Sequence, residues 1–263
     1  MFNAGRIRKI NRMGKRSRPS GLFVTGTDTG VGKTLVAAAV ASLLRSKGMN
    51  VGVMKPVASG GVRVQGVDRL VSEDAVLLAD SAKVSDDWAL INPICFRKPI
   101  APLTAARLER RPVRLAAIRQ AFDALCARHD IVIVEGVGGW LVPLTARLTT
   151  ADMARAMDLP VLVVSRPLLG TMNHTMLTIE SIRRHRLAVF GLVFNEAVQA
   201  KKGNLDRLIE NGNVESLPLL CGTRLIGRLP YARLGSSPKA RIKRIGALSR
   251  YLDRDSFDDL FQI

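Results

Sequence analysis

The sequence predicts an α/β fold: a single domain on a parallel sheet, with helices on both faces. Three observations predict it. Short, continuously apolar runs alternate with longer amphipathic stretches along the chain, the pattern of strands buried in a sheet covered on both sides. A glycine-rich turn joins the first apolar run to the first helical stretch. The length, 263 residues, suits one large domain or two small ones, and no internal repeat or low-complexity linker divides it.

The elements follow in order. Residues 21–25 read as a buried strand, and residues 26–32 as the turn. Residues 33–47, rich in Ala and Leu and closed by Gly48, read as a helix with a glycine stop. Residues 51–57 are the second strand. Ser72 offers a hydroxyl cap to a helix over 72–82, with Glu73 and Asp74 in its first turn. Residues 86–104, punctuated by Pro93, Pro99 and Pro102, read as a loop system. An amphipathic helix is predicted over 113–128 and a helix over 171–184. Strands are predicted at 131–134, 161–164, 189–194 and 225–229. Residues 1–20 are expected to be a basic extension, 21–235 the domain, and 236–263 a basic segment, helical and packed on the domain.

Composition excludes several classes. The net charge is +18, with 40 Lys plus Arg against 22 Asp plus Glu, which invites a nucleic-acid or membrane reading. The distribution weakens it, because Arg6, Arg8, Lys9, Arg12, Lys15, Arg16 and Arg18 crowd the first twenty residues and a second basic run spans 224–254. Aromatics are 5%, too few for a base-stacking surface. The longest uncharged apolar stretch, 35–44, falls short of the roughly 20 residues that span a bilayer. Neither membrane nor nucleic acid is expected as a partner. Cys95, Cys126 and Cys221 lie far apart without metal or disulfide spacing, and His129, His174 and His185 show no paired spacing. That argues against a transition-metal site and fits a reducing compartment. The location is expected to be cytoplasmic. The N-terminal segment lacks the apolar core of a secretory signal and reads as a solvated extension. An organelle transit segment and a nucleic-acid-contacting arm are the alternatives.

The strongest chemical signal is Gly26-Thr27-Asp28-Thr29-Gly30-Val31-Gly32-Lys33-Thr34 at the strand-to-helix junction. Small residues let backbone N–H groups close on phosphate oxygens, and a helix N-terminus lies behind them. Lys33 would neutralise the β- and γ-phosphates, and the Thr34 hydroxyl would ligate Mg²⁺. Gly26 stands one residue further from Gly32 than in the standard motif, so Thr27 holds the usual glycine place. The fold class is thereby narrowed to a P-loop NTPase-like domain. Glu135 ends the strand predicted at 131–134, where ligands of open α/β sheets bind, and is a candidate for metal or phosphate. By spacing alone, Asp74 reads as an acid of a helix first turn. Lys55, before Pro56 and Ser59, either reaches the same crevice or is a solvated strand-end lysine.

Taken together, these segments resemble the dethiobiotin synthetase family. GTDTGVGKT (26–34), KPVASG (55–60), EGVGGWLVPL (135–144), LGTMNHTMLT (169–178) and VFNE (193–196) occur in the family's order, and the likeness runs from about Leu22 to Tyr231. The resemblance implies ATP-dependent closure of 7,8-diaminopelargonate and CO₂ to dethiobiotin, through a carbamate and a carbamic-phosphoric anhydride. Lys55 is then the catalytic lysine, and Thr34, Asp74 and Glu135 hold Mg²⁺. ATP contacts are implied at Thr29, Gly30, Val31, Gly32, Lys33, Thr34 and Leu35, at Asp74, and at Glu135, Gly136, Val137 and Gly138. Asn195, Glu196, Leu229, Pro230 and Tyr231 match the adenine site, where an Asn amide can donate and accept on one base edge. Ser59 matches a substrate position. Gly170, Thr171 and Asn173 match a helix start that receives the substrate carboxylate from the partner in a homodimer. Leu103 stands where the family often has His, so no essential side-chain proton transfer is expected there. A partitioning ATPase of the same broad fold is the main rival. Such proteins usually carry an extra lysine near the loop start, and none lies between Gly26 and Gly32.

Overall fold

The computed structural model describes residues 20–199 and 203–263. The predicted basic extension therefore lies, apart from Ser20, outside the described residues. In chain order the first half contains β1 (Gly21–Gly26), α1 (Lys33–Ser46), β2 (Val51–Met54), β3 (Val57–Ala58), β4 (Val62–Arg63), β5 (Leu70–Val71), α2 (Glu73–Ala82), α3 (Trp88–Ile91), β6 (Ile94–Cys95), α4 (Pro102–Leu108) and α5 (Leu115–Cys126). The second half contains β7 (Ile131–Glu135), α6 (Thr150–Met157), β8 (Val161–Ser165), α7 (Thr171–Arg184), β9 (Val189–Asn195), α8 (Asn204–Cys221), β10 (Leu225–Leu229), α9 (Pro238–Leu248) and α10 (Arg254–Phe261).

Six strands form one sheet in the order β10-β9-β8-β1-β7-β2, and every pairing is parallel. β1 lies between β7 and β8, so the turn that follows it opens beside the ends of both. Alternate residues of β1 feed two cores. Leu22 and Val24 pack with residues of α1, α2, α9 and α10 on one face, while Phe23 packs with α5, α6 and α7 on the other. A parallel strand with both faces covered has no polar side, which is why its sequence is a continuous apolar run.

Two expectations change, and two helices are added. The strand predicted over 51–57 stops at Met54. Lys55 and Pro56 leave the sheet: the Lys55 amide donates to the Ile91 carbonyl at 2.7 Å, and Pro56 has no N–H to offer a neighbour. β3 then pairs with β6 in a separate two-stranded sheet. The region read as a loop system over 86–104 contains α3, β6 and the start of α4, with Pro102 at the first turn of α4, where proline is tolerated. Helices α6 and α8 are not among the elements read from the sequence. α6 is started by a reciprocal cap between Thr149 and Asp152, and α8 holds Pro218 near its end.

The C-terminal helices contribute Ile245, Leu248, Phe257 and Phe261 to the first core. Phe257 is fully buried and lies 5.1 Å, centroid to centroid, from Phe190. Phe257→Ala is expected to cost about 3–5 kcal/mol of folding stability. A urea melt reads this directly, and a loss below about 1 kcal/mol would show that α10 is not part of the cooperative unit.

Candidate active site

The loop after β1 crosses the carboxyl edge of the sheet and is tied down from several sides. The Thr27 amide donates to the Val164 carbonyl at 3.0 Å, at the end of the neighbouring strand β8. Gly30 and Gly32 adopt φ of 72° and 89°, the left-handed region that L side chains avoid. Gly32 is further constrained because a Cβ there would lie 2.0 Å from Asn195 Nδ2. Gly32→Ala is expected to abolish saturable ATP binding while the protein still folds. Nucleotide titration with a melting control checks this, and normal affinity would show that the loop does not need this conformation.

Lys33 is 7% exposed and its Nζ donates to the carbonyl of Asp28 at 2.9 Å, curled over its own loop. Burial, helped by the neighbouring Lys55 charge, pulls its pKa down to about 8. Thr34, in the first turn of α1, places Oγ1 at 2.9 Å from both Asp74 Oδ1 and Glu135 Oε1. The hydroxyl has a single proton, so it serves one carboxylate at a time. Lys55 Nζ closes the cluster, 2.9 Å from Asp74 Oδ2, 2.5 Å from Glu135 Oε1 and 3.3 Å from the Gly136 carbonyl. Burial opposes the charge on Lys55, but the Glu135 and Asp74 carboxylates outweigh it and hold its pKa above the ordinary lysine value. For Asp74 burial also opposes charge, and Lys55 and Thr34 overcome it, keeping its pKa low.

One residue orders two of these elements. Asn92 is fully buried; its Nδ2 donates to the Lys55 carbonyl at 2.7 Å and its Oδ1 accepts from the Ser72 amide at 3.0 Å. Ser72 in turn caps α2, accepting from the Ala75 amide at 3.1 Å, which sets the helix turn that carries Asp74. Sequence reasoning missed Asn92, because an Asn in a proline-rich segment looks like any turn residue until its partners are known.

A cavity of about 650 Å³ gathers the predicted residues. Thr29, Gly30, Gly32, Lys33, Thr34 and Leu35 form its loop side, and Lys55, Ser59, Asp74, Glu135, Val137 and Gly138 its floor. Asn195, Glu196 and Tyr231 line its far end. Val31 is buried beneath the loop, and its carbonyl accepts from Asn195 Nδ2 at 2.9 Å. Gly136 and Leu229 take part through backbone: the Gly136 carbonyl faces Lys55, and the Leu229 carbonyl accepts from the Glu196 amide at 3.0 Å, next to Pro230. Arg228 braces this end with contacts of 3.0 Å to both Glu196 and Glu210. Residues 99–102 form a wall that sequence reasoning did not single out. Leu103 lines a separate hollow with Leu144, Arg107 and Arg110. Gly170, Thr171 and Asn173 do not line the cavity. They start α7, with Thr171 buried and Asn173 and His174 on the surface.

Three buried polar atoms on this cavity have no hydrogen-bond partner: Ser59 Oγ, Glu135 Oε2 and Asn195 Oδ1. Orphaned buried acceptors are costly in a folded protein and mark places where a ligand completes the bonding. The donor set around Glu135 fits Mg²⁺, a hard cation held through one or two carboxylates, a hydroxyl, phosphates and water. No group of three His, Cys, Asp or Glu side chains forms a metal cage among the described residues, and this kind of site needs none. No helix among the described residues is long and apolar enough to cross a membrane.

A family described as an AAA domain matches residues 20–239. The chain is 51% identical over 175 residues to the ATP-dependent dethiobiotin synthetase BioD of Anaeromyxobacter dehalogenans, covering 66% of this chain and 76% of that one. It is 38% identical over 219 residues to the protein of the same name from Thermodesulfovibrio yellowstonii, covering 81% and 89%. Against the MinC:MinD cell division protein complex of Aquifex aeolicus the TM-score is 0.52 at 13% identity, over 93% of this chain and 96% of that chain, which is a likeness of fold alone.

Proposed function

The chain belongs to the ATP-dependent dethiobiotin synthetase family, and from that premise we propose how its cleft carries out the reaction. It is a ligase of biotin biosynthesis. The observation that carries the reading is Lys55, 3% exposed, held against Asp74 and Glu135 on the floor of the phosphate cleft.

The substrates are 7,8-diaminopelargonate, CO₂ and ATP. One amine adds to CO₂ and loses a proton, giving a carbamate. A carbamate oxygen attacks the γ-phosphorus and ADP leaves, giving a carbamic-phosphoric anhydride. The second amine attacks the anhydride carbonyl, loses its proton, and expels phosphate as the ureido ring closes. The second step drives an anion onto an anion, so cations must neutralise both partners and hold them in line. Lys33 and the loop amides would bind the phosphates. Lys55 would sit between carbamate and transferring phosphoryl group. Thr34, Asp74 and Glu135 would hold Mg²⁺, which when bound supplies charge neutralisation at the β- and γ-phosphates. Asn195 would read adenine, with its free Oδ1 accepting from the exocyclic amine. Thr29 and Ser59 would bond phosphate or substrate.

A homodimer is part of this reading. Leu168, Leu169, Met172, Met176 and Leu177 are exposed around the start of α7, and Leu169 is 86% exposed. An apolar patch next to Gly170, Thr171 and Asn173 supports burial of that helix start against a second subunit, whose substrate carboxylate it would receive. A cytoplasmic location completes the reading.

Phosphate release from MgATP with bicarbonate, with and without the diamine, tests the function, with dethiobiotin followed by mass spectrometry. Diamine-dependent release matched by dethiobiotin is expected. Hydrolysis that ignores the diamine and is stimulated by DNA would replace this reading with that of a partitioning ATPase. The basic extension is expected to be dispensable, so a chain starting at Ser20 keeps its kcat in the same assay. The cut belongs before Ser20, whose carbonyl accepts from the Val132 amide at 2.9 Å. Loss of turnover in a folded truncation would give the extension a catalytic part.

A further inference from the structure

A cluster of hydroxyls joins the phosphate loop to the start of α7. Ser165, the last residue of β8, is its hub. Ser165 Oγ lies 3.2 Å from Thr27 Oγ1, 2.6 Å from Thr171 Oγ1 and 3.1 Å from Thr175 Oγ1. Thr171 and Thr175 close the ring at 3.4 Å. Ser165 and Thr175 are fully buried and Thr171 is 6% exposed. A serine hydroxyl donates one hydrogen bond and accepts two. Three neighbours therefore saturate Ser165.

The cluster gives a physical role to the residue that stands in the usual glycine place of this loop. Thr27 is gripped twice by β8, through its amide to the Val164 carbonyl and through its hydroxyl to Ser165. The next residue, Asp28, is held from the other side, its carbonyl accepting from Lys33 Nζ at 2.9 Å. In the reading above Lys33 also bonds phosphate, so a phosphate entering the loop would compete with the Asp28 carbonyl for the Lys33 ammonium. Residues 27–28 would then lean on the two bonds to β8, of which the hydroxyl one runs through Ser165 to α7. With and without phosphate on Lys33 the loop would load the hydroxyl cluster differently, which is the differential contact that coupling between two sites requires.

We propose that Ser165 is a positioning residue that couples ATP in the phosphate loop to binding of the substrate carboxylate at the start of α7. This rests on the reading above, in which residues 170–173 receive that carboxylate. In a homodimer the helix start serves the neighbouring cleft, so the cluster links nucleotide in one subunit to diamine in the other. Thr175, fully buried and not among the residues lining the cavity, belongs to the same device.

Calorimetric titration of the full chain with 7,8-diaminopelargonate in bicarbonate, with and without Mg-AMP-PNP, tests it. In the wild-type protein the nucleotide analogue is expected to shift the diamine Kd by about five-fold or more, the lower end of ordinary coupling between sites. In Ser165→Ala that factor falls to about one, while the Kd of the analogue alone stays close to wild type. Thr175→Val loses the coupling in the same way and Thr175→Ser keeps it, so the threonine pair decides the matter if Ser165→Ala does not fold. An unchanged factor in Thr175→Val, or a wild-type protein with no coupling, overturns the proposal. So does parallel weakening of both ligands with the factor preserved, the mark of a merely structural role. A wild-type protein that makes no dethiobiotin fails the functional reading instead, and the phosphate-release assay tells the two failures apart.

Discussion

Lys55→Ala is expected to lower kcat for dethiobiotin by about a thousand-fold and to leave most of the ATP affinity in place. The size follows from losing one preorganised charge aimed at a developing anion, worth about 10²–10³ in rate, at a step where two anions meet. The selectivity follows from position. Lys55 comes from the end of β2, outside the loop of residues 26–34 that supplies the amides and the Lys33 ammonium. Burial resists its charge, yet Glu135 and Asp74 keep it protonated, so it works as a cation and not as a base. Its removal also leaves two carboxylates facing each other without their ammonium, and the variant loses stability. Single-turnover phosphate transfer, nucleotide titration and a melting curve on the same sample separate these effects. A folded Lys55→Ala protein with near-normal kcat would sink the assigned mechanism.

Lys33→Ala is expected to act differently, weakening ATP and turnover together. A lysine bonded to phosphate oxygens makes charge-assisted hydrogen bonds, and removing one such partner costs about 2–3 kcal/mol, or about a hundred-fold in Kd. The pH dependence provides an independent check. Burial and Lys55 lower the pKa of Lys33 to about 8. Phosphate binding favours the ammonium form. Below pH 8 the free protein already carries that proton, and above pH 8 binding must take one up. ATP affinity therefore falls as pH rises through 8 in the wild type, and this slope is absent in Lys33→Ala. Equal slopes in both proteins would assign the titration to another group.

The loop and the strand ends were legible because their signals are local. Gly30 and Gly32 declare a left-handed turn, and Lys33 and Thr34 open a helix behind it. The apolar runs at β1, β7 and β8 announce buried strands whatever their neighbours are. The order of five short motifs pointed to the family. The break after Met54 was not legible, since Val51 to Val57 carries one apolar period, apart from Lys55 and Pro56, and the cause of the break is a distant carbonyl at Ile91. Asn92, Arg228 and Ser165 carried no signal, because a polar residue gains a role only from the partners it meets.

The sequence by itself therefore determined a parallel sheet, a phosphate loop and the residue types that phosphoryl chemistry needs. Period, glycine conformation and helix start are properties of neighbouring residues. Only the tertiary structure decided that Thr34 and Glu135, 101 positions apart, lie 2.9 Å from each other, and that Lys55 and Asp74 close the same cluster. Strand order brings these ends together, and strand order is set by the long-range packing of two cores against one sheet, which no local pattern encodes.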